Sequence, residues 1–194
     1  MKIYSFSGAP STGKSTLIKE LELNPFFKNF NFLPTVSRNL WKDFIKDFNL
    51  SDWKNNPPDI ETAYQLSLNT IRASQLAFIF KNHSNSFFLD RSFLDSAVYT
   101  QIKFQNNLIP KPFYNLIMNQ SKENMNLIDL NLILTPEFPI SNDNFRNTNI
   151  NDQSQFNDIM LSLIKDWNLP HHFISGPIPN RISQIINIIS SSPS

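Results

Sequence analysis

Residues 8–15 read GAPSTGKS and match the pattern G-x-x-x-x-G-K-[ST]. The chain contains only three glycines, and two of them, Gly8 and Gly13, stand at the glycine positions of this pattern. The preceding stretch, Lys2–Ser7, has the apolar character of a buried strand, and Ser15–Leu23 has the composition of a helix. A strand, a glycine-bearing loop and a helix in this order are typical of a phosphate-binding loop, or P-loop.

Each part of such a loop has a chemical role. Backbone N–H groups wrap a β-phosphate, assisted by the positive end of the following helix. We therefore expect the Lys14 ammonium to reach the β- and γ-phosphates of a donor nucleotide and the Ser15 hydroxyl to bind Mg²⁺. The residues expected to contact the donor are Gly8, Ala9, Ser11, Thr12, Gly13, Lys14, Ser15 and Thr16.

The composition limits the classes of function. The chain has 194 residues and a net charge of +1, so it fits one domain without a strong electrostatic attraction to nucleic acid or membrane. It has no cysteine, which excludes disulfides and cysteine-based metal sites. We see no apolar run of transmembrane length and no room for a signal peptide before the first strand. These features predict a cytoplasmic protein, and the abundance of Asn suggests an AT-rich source such as a bacteriophage, in which case the host cytoplasm is meant.

Apolar segments and helical segments alternate along the chain. The expected strands are Lys2–Ser7, Phe30–Pro34, Ser86–Asp90, Leu130–Thr135 and His172–Ser175. The expected helices are Ser15–Leu23, Ser37–Phe48, Ile60–Lys81, Ser92–Gln105, Pro112–Met125, Gln153–Trp167 and Asn180–Ile189. This alternation predicts an α/β fold with a parallel sheet covered on both faces. We expect a single domain over residues 1–190, a polar lid over about 136–152 and a frayed tail at 191–194.

A second candidate site follows the third strand, where Asp90 and Arg91 stand at the carboxyl edge of the sheet. Asp90 is a candidate Mg²⁺ ligand, and the alternative is that it only caps the next helix. Arg91 can pair with an acceptor phosphate or form a surface salt bridge. Asp95 is expected to orient Arg91 or to contact the substrate.

The remaining arginines stand where a phosphoryl-transfer enzyme needs rigid donors. Arg38 opens the helix after the second strand, Arg72 lies in the long helix, and Arg146 lies in the expected lid. Arg181 is expected to contact the donor nucleotide or solvent. Gln75 and Gln65 on the long helix are candidates for pairing with a base edge, the alternative being solvated helix residues.

The motifs together resemble those of the P-loop nucleoside and nucleotide kinases, within the AAA-type group that is similar to nicotinamide riboside kinases and includes many bacteriophage members. The matching segments are GAPSTGKST at the start, DRSFLDSAVY at 90–99, TPEFPISNDNFRN at 135–147 and ISGPIPNRISQII at 174–186. The resemblance implies a five-stranded parallel sheet in the order 2-3-1-4-5, ATP as phosphoryl donor, Mg²⁺, and Arg146 as a lid arginine.

The chain departs from this family in two places. Members often carry a glutamate near the end of the second strand, whereas Pro34-Thr35-Val36-Ser37-Arg38 has no carboxylate there. The lid arginine is commonly preceded by Asp-Gly, and here Asn144 and Phe145 precede it. A sugar hydroxyl benefits from a carboxylate base, whereas a monophosphate oxygen is already anionic and needs arginine clamps instead. The missing glutamate and the presence of Arg38 therefore favour a monophosphate acceptor.

Four functions follow from these observations. The first is transfer from ATP to a (deoxy)nucleoside monophosphate, with Lys14, Asp90, Arg91 and Arg146 as catalytic residues. Substrate-binding residues would then be Arg38, Arg72, Gln75, Arg91 and Asp95. The second is a nucleoside or riboside kinase, the third a kinase of a hydroxymethylated base in DNA, which the low net charge disfavours. The fourth is a regulatory NTPase. The expected partner is a small nucleotide, and a homodimer is left open.

Overall fold

The structure is a computed structural model that describes residues 1–48, 57–82, 85–135 and 150–191. Within these residues the five strands are β1 (Ile3–Ser7), β2 (Asn31–Leu33), β3 (Phe87–Asp90), β4 (Leu130–Leu134) and β5 (His171–Ile174). The helices are α1 (Lys14–Leu23), α2 (Ser37–Asp47), α3 (Pro58–Asn82), α4 (Phe93–Gln105), α5 (Lys111–Met125), α6 (Ile150–Asp166) and α7 (Ile178–Ser191). A short 3₁₀ helix spans Pro25–Phe27.

The five strands form one parallel sheet in the order β2-β3-β1-β4-β5, as the family resemblance implies. β1 is central, and its residue Phe6 pairs in register with Asp90 of β3 on one side and Leu132 of β4 on the other. The carboxyl end of β1 leads into the P-loop. Because β3 runs parallel beside it, Asp90 and the P-loop meet at the same edge of the sheet.

Side chains of β1 and β3 alternate between two buried faces. Tyr4, Phe6 and Phe88 pack on the face covered by α1 and α7, where the Phe6 and Phe88 rings stack at 5.2 Å between centroids. Ile3 and Phe87 pack on the opposite face, in the core to which α3, α4, α5 and α6 contribute. The chain therefore forms three layers with helices on both faces of the sheet, as expected from its continuous apolar strands.

The expected helices and strands are all present, and their ends differ from the expected ones by at most three residues. The expected lid at 136–152 lies mostly outside the described residues, which resume at the start of α6. Ser191, the first residue of the expected tail, is the last residue of α7, and residues 192–194 lie outside the described part of the chain. None of the described helices is long and apolar enough to cross a membrane.

Candidate active site

The P-loop depends on the backbone of its two glycines. Gly8 has φ +150°, and a Cβ atom there would lie 2.6 Å from the carbonyl oxygen of Leu134 in β4. Gly13 has φ +82° and is the N-cap of α1. Any side chain larger than hydrogen is disfavoured at both positions, at Gly8 by contact with β4 and at Gly13 by the left-handed backbone. The loop's glycines are therefore required by geometry, as the sequence motif predicts.

The Lys14 side chain is folded against the loop. Its Nζ atom donates to the carbonyls of Gly8 and Ala9, each at 2.7 Å, and to Thr12 Oγ1 at 2.9 Å. An ammonium has three N–H donors, and these three bonds engage all of them. A phosphate bound in the loop would compete with the loop's own oxygens for this ammonium, which is already placed at its centre.

Arg181 of α7 supports the loop from the side of the protein core. Its side chain is fully buried, with Nη1 donating to the Thr12 carbonyl and Nε to the Gly176 carbonyl, both at 2.6 Å. This arrangement holds the loop backbone to the last helix. The predicted contact of Arg181 with the donor nucleotide remains a prediction, whereas its contact with the loop backbone is present.

In the segment after β3, an unusual backbone conformation assigns the capping of α4 to Ser92 and leaves Asp90 in the cleft. Arg91 adopts φ +72° and donates its backbone N–H to the Phe6 carbonyl at 3.0 Å. Ser92 then caps α4, accepting from Leu94 N at 3.2 Å. Because Ser92 is the N-cap, Asp90 is not needed for capping. Asp90 lines the cleft, and no hydrogen bond or ion pair from the described part of the chain reaches its carboxylate.

Asp95 joins the helix cap to Arg91. One carboxylate oxygen accepts from Ser92 N at 3.2 Å, which completes a capping box, and the other accepts from Arg91 Nη1 at 2.8 Å. Burial alone would lower the pKa of Arg91, but the oxygens of Tyr99, Asp95 and Asp90 outweigh it and raise that pKa above its ordinary value. Asp95 therefore holds a permanently charged guanidinium at the cleft, one of the two roles predicted for it.

A second guanidinium, that of Arg72, reaches the same place from α3. Arg72 is buried, and its Nη1 donates to Ser96 Oγ on α4. Burial lowers its pKa to about 10, partly opposed by the carboxylate of Asp95. Arg72 is therefore a cation at neutral pH, and α3 and α4 together place two guanidiniums beside Asp90.

These residues line one cleft with a volume of about 540 Å³. The cleft runs from the P-loop, past Asp90, Arg91 and Arg72, into a space between α2, α3 and α4. The residues at its P-loop end are Pro10, Ser11, Thr12, Gly13, Lys14, Ser15 and Thr16. Gly8 and Ala9 are buried behind this surface. The far end is lined by Thr35, Ser37, Trp41, Lys42, Ile45, Glu61, Tyr64, Gln65, Leu68, Asp95, Ser96, Tyr99 and Lys103.

Aromatic rings form part of the far end. Trp41 and Tyr64 meet edge to face at 4.5 Å between centroids, and the Tyr64 hydroxyl donates to the Ser37 carbonyl at 3.1 Å. Burial raises the pKa of Tyr64 above its ordinary value, so the hydroxyl remains a neutral donor. Arg91 lies over the Tyr99 ring at 6.0 Å. Both Trp41 and Tyr99 thus belong to the cleft wall.

Glu61, Gln65 and Lys103 form a polar group that the sequence analysis largely missed. Gln65 Nε2 donates to Glu61 Oε1 at 3.1 Å, and Lys103 Nζ pairs with Glu61 Oε2 at 3.2 Å. Both Glu61 and Gln65 are only 3% exposed. A signal was available: the buried polar residues Glu61, Gln65, Asn69 and Arg72 recur at intervals of four, four and three along α3, which places them on one helix face.

The other predicted substrate residues are placed less directly. Gln75 is not among the residues that line the large cleft, and it borders an apolar groove with Ile71 and Phe78. It also lines a small adjoining pocket together with Arg72, Asp90 and Arg91. Arg38 lies in the first turn of α2, with its side chain outside the described part of the structure. Arg146 also lies outside the described residues. The structure thus brings together in the cleft Lys14, Ser15, Asp90, Arg91, Asp95 and Arg72. Gln75 lies in the small adjoining pocket that shares three of these residues.

The predicted Mg²⁺ ligands fit the chemistry of that ion. Ser15 and Asp90 both face the cleft and offer a hydroxyl and a carboxylate oxygen, which are hard ligands. Among the described residues no three His, Cys, Asp or Glu side chains cluster as a metal site. This arrangement suits Mg²⁺, which is commonly held by one or two protein oxygens together with phosphates and water.

Comparison with known proteins agrees with this geometry. A search of curated protein sequences finds no match. A deoxyadenosine kinase from M. mycoides, solved with products dCMP and a flexible dCDP bound, has a TM-score of 0.69 and 16% identity over 98% of this chain and 100% of that one. The NadR protein in complex with NR has a TM-score of 0.70 and 15% identity over 100% of this chain. This chain spans about half of the NadR chain, with 51% covered.

The family is shown by a sequence match. A family model described as an AAA domain matches residues 3–181, which is most of the chain and includes both the P-loop and Arg181. The sheet order and the structural neighbours confirm the expected fold. The chain belongs to this AAA-domain family, and its fold is that of the P-loop nucleoside and nucleotide kinases.

Proposed function

We propose that this protein transfers the γ-phosphoryl group of ATP to a (deoxy)nucleoside monophosphate and forms the diphosphate. The observation that carries this proposal is the single cleft, which joins the P-loop to a pocket with aromatic and amide walls. Arg72 and Arg91 lie between the two ends, where the transferred group would pass. A donor site, a base-sized pocket and two guanidiniums in one cleft suit a nucleotide acceptor.

The charges of the cleft support an anionic acceptor. Five cationic side chains line it, against three carboxylates. Two of the carboxylates are engaged, Glu61 with Lys103 and Asp95 with Arg91. If Asp90 serves the metal, the described cleft offers no further carboxylate to act as a base. A monophosphate oxygen requires none, since it is already ionised.

Each group then has a role in the reaction. The P-loop backbone and Lys14 hold the donor phosphates, and Arg91 and Arg72 align the acceptor phosphate in line with the γ-phosphoryl group. Arg38 and Arg146 are proposed as additional clamps on the acceptor and on the transferred group. Mg²⁺ bound at Ser15 and Asp90 would neutralise charge on the donor phosphates. The expected lid at 136–152 would exclude water and suppress hydrolysis of ATP.

A second candidate is a kinase of nucleosides or ribosides. It is favoured by Asp90, whose carboxylate lacks a hydrogen bond from the described residues and lies beside the P-loop. The similar deoxyadenosine kinase, with dCMP as a product, and NadR in complex with NR support this alternative, since dCMP is a nucleoside phosphorylated once. The dCDP in the first of these structures is a diphosphate and supports the leading proposal instead. In this case Asp90 would accept the proton of a sugar hydroxyl as general base.

A substrate panel separates the two candidates. Purified protein with ATP and Mg²⁺ would be tested on nucleosides, their 5′-monophosphates and hydroxymethylated DNA, with formation of phosphorylated product measured by chromatography. The proposal expects turnover of at least one monophosphate. Turnover restricted to nucleosides would establish the second candidate, labelling of DNA alone would require a nucleic-acid substrate, and ADP release without an acceptor would indicate an NTPase.

The Asp90→Asn variant adds a mechanistic distinction. If Asp90 is a general base for a hydroxyl, its loss removes proton acceptance, which typically contributes about 10²–10⁴-fold to the rate at any Mg²⁺ concentration. If it serves Mg²⁺, the loss should shrink as Mg²⁺ is raised. Rates measured over a Mg²⁺ titration distinguish these outcomes, with Asp158→Asn on the exposed surface of α6 as the matched control.

A further inference from the structure

The Gln65 amide has an orientation that its neighbour imposes. Glu61 lies one helical turn earlier on α3, and a carboxylate can only accept hydrogen bonds from the amide. The nitrogen of Gln65 must therefore face Glu61, as the 3.1 Å Nε2–Oε1 distance shows. Lys103 holds Glu61 from the other side at 3.2 Å. The Glu61–Lys103 ion pair thus prevents the Gln65 amide from flipping, that is, from exchanging the positions of its nitrogen and oxygen.

The oxygen of that amide is left without a partner. Gln65 Oε1 is buried, and no hydrogen bond from the described residues reaches it. A buried acceptor without a donor is destabilising, and native structures rarely leave one without a function. Since Gln65 lines the cleft, a molecule bound there is placed to supply the missing donor.

We propose that Glu61 is a positioning residue for recognition of the acceptor base. It holds the Gln65 amide so that the oxygen accepts an N–H of the base, while the second N–H of the amide remains for a neighbouring ring nitrogen or carbonyl. This inference rests on the proposed function in taking the acceptor to be a nucleotide. Its consequence is that the acceptor base must present an N–H donor to Gln65.

Base analogues that lose one donor without gaining bulk test this requirement. Purine differs from adenine, and 2-pyrimidinone from cytosine, by the missing exocyclic amine, and both keep the ring nitrogen acceptor. For a base with a ring N–H, 3-methylthymine against thymine removes the donor but adds a methyl group, so this pair is used only in support of the other two. All are used as 5′-monophosphates and as nucleosides, and binding is measured by calorimetry and by the fluorescence of Trp41 in the cleft wall. Binding does not depend on turnover, so it separates this inference from the kinase assay.

The wild-type protein should bind the parent about tenfold more tightly than the analogue, because the analogue leaves Gln65 Oε1 unpaired. In Glu61→Gln, residue 61 both donates and accepts, so the Gln65 amide can turn over and donate to the ring nitrogen. The ratio of the dissociation constants of analogue and parent should then fall to less than about threefold. Gln65→Met removes the amide, so this variant should bind the parent and the analogue about equally. Glu123→Gln, on the exposed surface of α5, is the matched control and should keep the wild-type ratio.

Other results overturn the inference. Equal binding of parent and analogue by the wild-type protein would mean that a buried water satisfies Gln65 Oε1. An unchanged ratio in Glu61→Gln would remove Glu61 from recognition. If that variant does not fold in thermal melting, Gln65→Met decides alone, and a retained ratio there refutes the inference. Failure of every parent to bind would refute the inference and the proposed function together, whereas binding without phosphoryl transfer would refute only the latter.

Discussion

Arg181 donates a 2.6 Å hydrogen bond from Nη1 to the carbonyl oxygen of Thr12, which lies 169 residues earlier in the chain. Its Nε donates to the carbonyl oxygen of Gly176, just before α7 begins, also at 2.6 Å. The last helix of the chain is thereby attached to the first loop. Because Arg181 is fully buried, these bonds are protected from water and hold the P-loop backbone in place.

Replacing Arg181 by Met should loosen the P-loop and destabilise the fold. Loss of two hydrogen bonds from a buried, charged guanidinium should lower the free energy of unfolding by about 2–3 kcal/mol. The KM for ATP should rise, while the KM for the acceptor should change little. Chemical denaturation and steady-state kinetics measure the two effects, with Lys165→Met on the exposed face of α6 as control. An unchanged KM for ATP would mean that the loop keeps its shape without Arg181.

Gly8→Ala should be far more harmful than Gly176→Ala. A Cβ at position 8 would lie 2.6 Å from the backbone oxygen of Leu134, whereas at position 176 its nearest neighbours are side-chain atoms of Asn180 at 3.7 Å. Both positions have positive φ, so both variants gain backbone strain of about 1–2 kcal/mol. Gly176→Ala shows the effect of this strain alone, whereas Gly8→Ala adds the steric overlap with Leu134. Thermal melting and ATP binding should show a larger loss in Gly8→Ala. Equal losses would mean that the contact with β4 is relieved by movement of the loop.

Lys14→Met should abolish most phosphoryl transfer. The ammonium is the charged donor at the centre of the loop, and removal of one such group commonly costs about 10²–10³-fold in kcat. Because Nζ also bonds the Gly8 and Ala9 carbonyls, we expect a modest loss of stability as well. Lys19→Met on the exposed surface of α1 provides the control for both measurements. A kcat within threefold of wild type would exclude Lys14 from the reaction.

Arg72→Lys should introduce a new pH dependence. The pKa of Arg72 is lowered to about 10 by burial, so the wild-type side chain stays charged below pH 9. An amine begins from about 10.4 and would be lowered further by the same burial, so its charge is lost at lower pH. The acceptor kcat/KM of the variant relative to wild type should therefore fall as pH rises from about 7 to 9.

The stability of the same variant should change in the opposite direction. Its folded pKa is below the unfolded value, so the unfolded chain binds more protons between the two values. Stability therefore rises with pH in that window while acceptor use falls. Denaturation midpoints and kinetics over the same pH range test this combination. Parallel pH profiles for variant and wild type would show that position 72 carries no charge that the acceptor needs.

The elements of this fold were predictable because their signals are local. The apolar runs around Tyr4 and Phe88 have the continuous character of strands buried on both faces, and the structure places their residues on both sides of the sheet. Helix starts were less certain, since Ser92 and Asp90 were both acceptable caps from sequence. The order of the strands came from the family resemblance, because strand composition alone does not specify lateral neighbours.

The cleft was only partly predictable. Lys14, Asp90 and Arg91 were found because motif spacing and strand ends place them at the carboxyl edge of the sheet. Glu61 and Lys103 were missed because their 3.2 Å ion pair joins two helices, and the sequence of either helix alone does not identify the residue with which it pairs. Gln75 was expected to bind substrate and lies beside the large cleft, in a small pocket that it shares with Arg72 and Asp90. Its role in substrate binding stays a prediction.

By itself the sequence determined the P-loop, the alternation of strands and helices, and the residues at the end of β3. These depend on interactions between near neighbours, namely glycine backbone freedom at Gly8 and Gly13 and the apolar periodicity of strands and helices. Tertiary structure decided which face of α3 is buried, that Arg72 joins Arg91, and that Arg181 supports Thr12. Those outcomes depend on how whole helices pack against the sheet, because a buried polar side chain is stable only where packing supplies its partner.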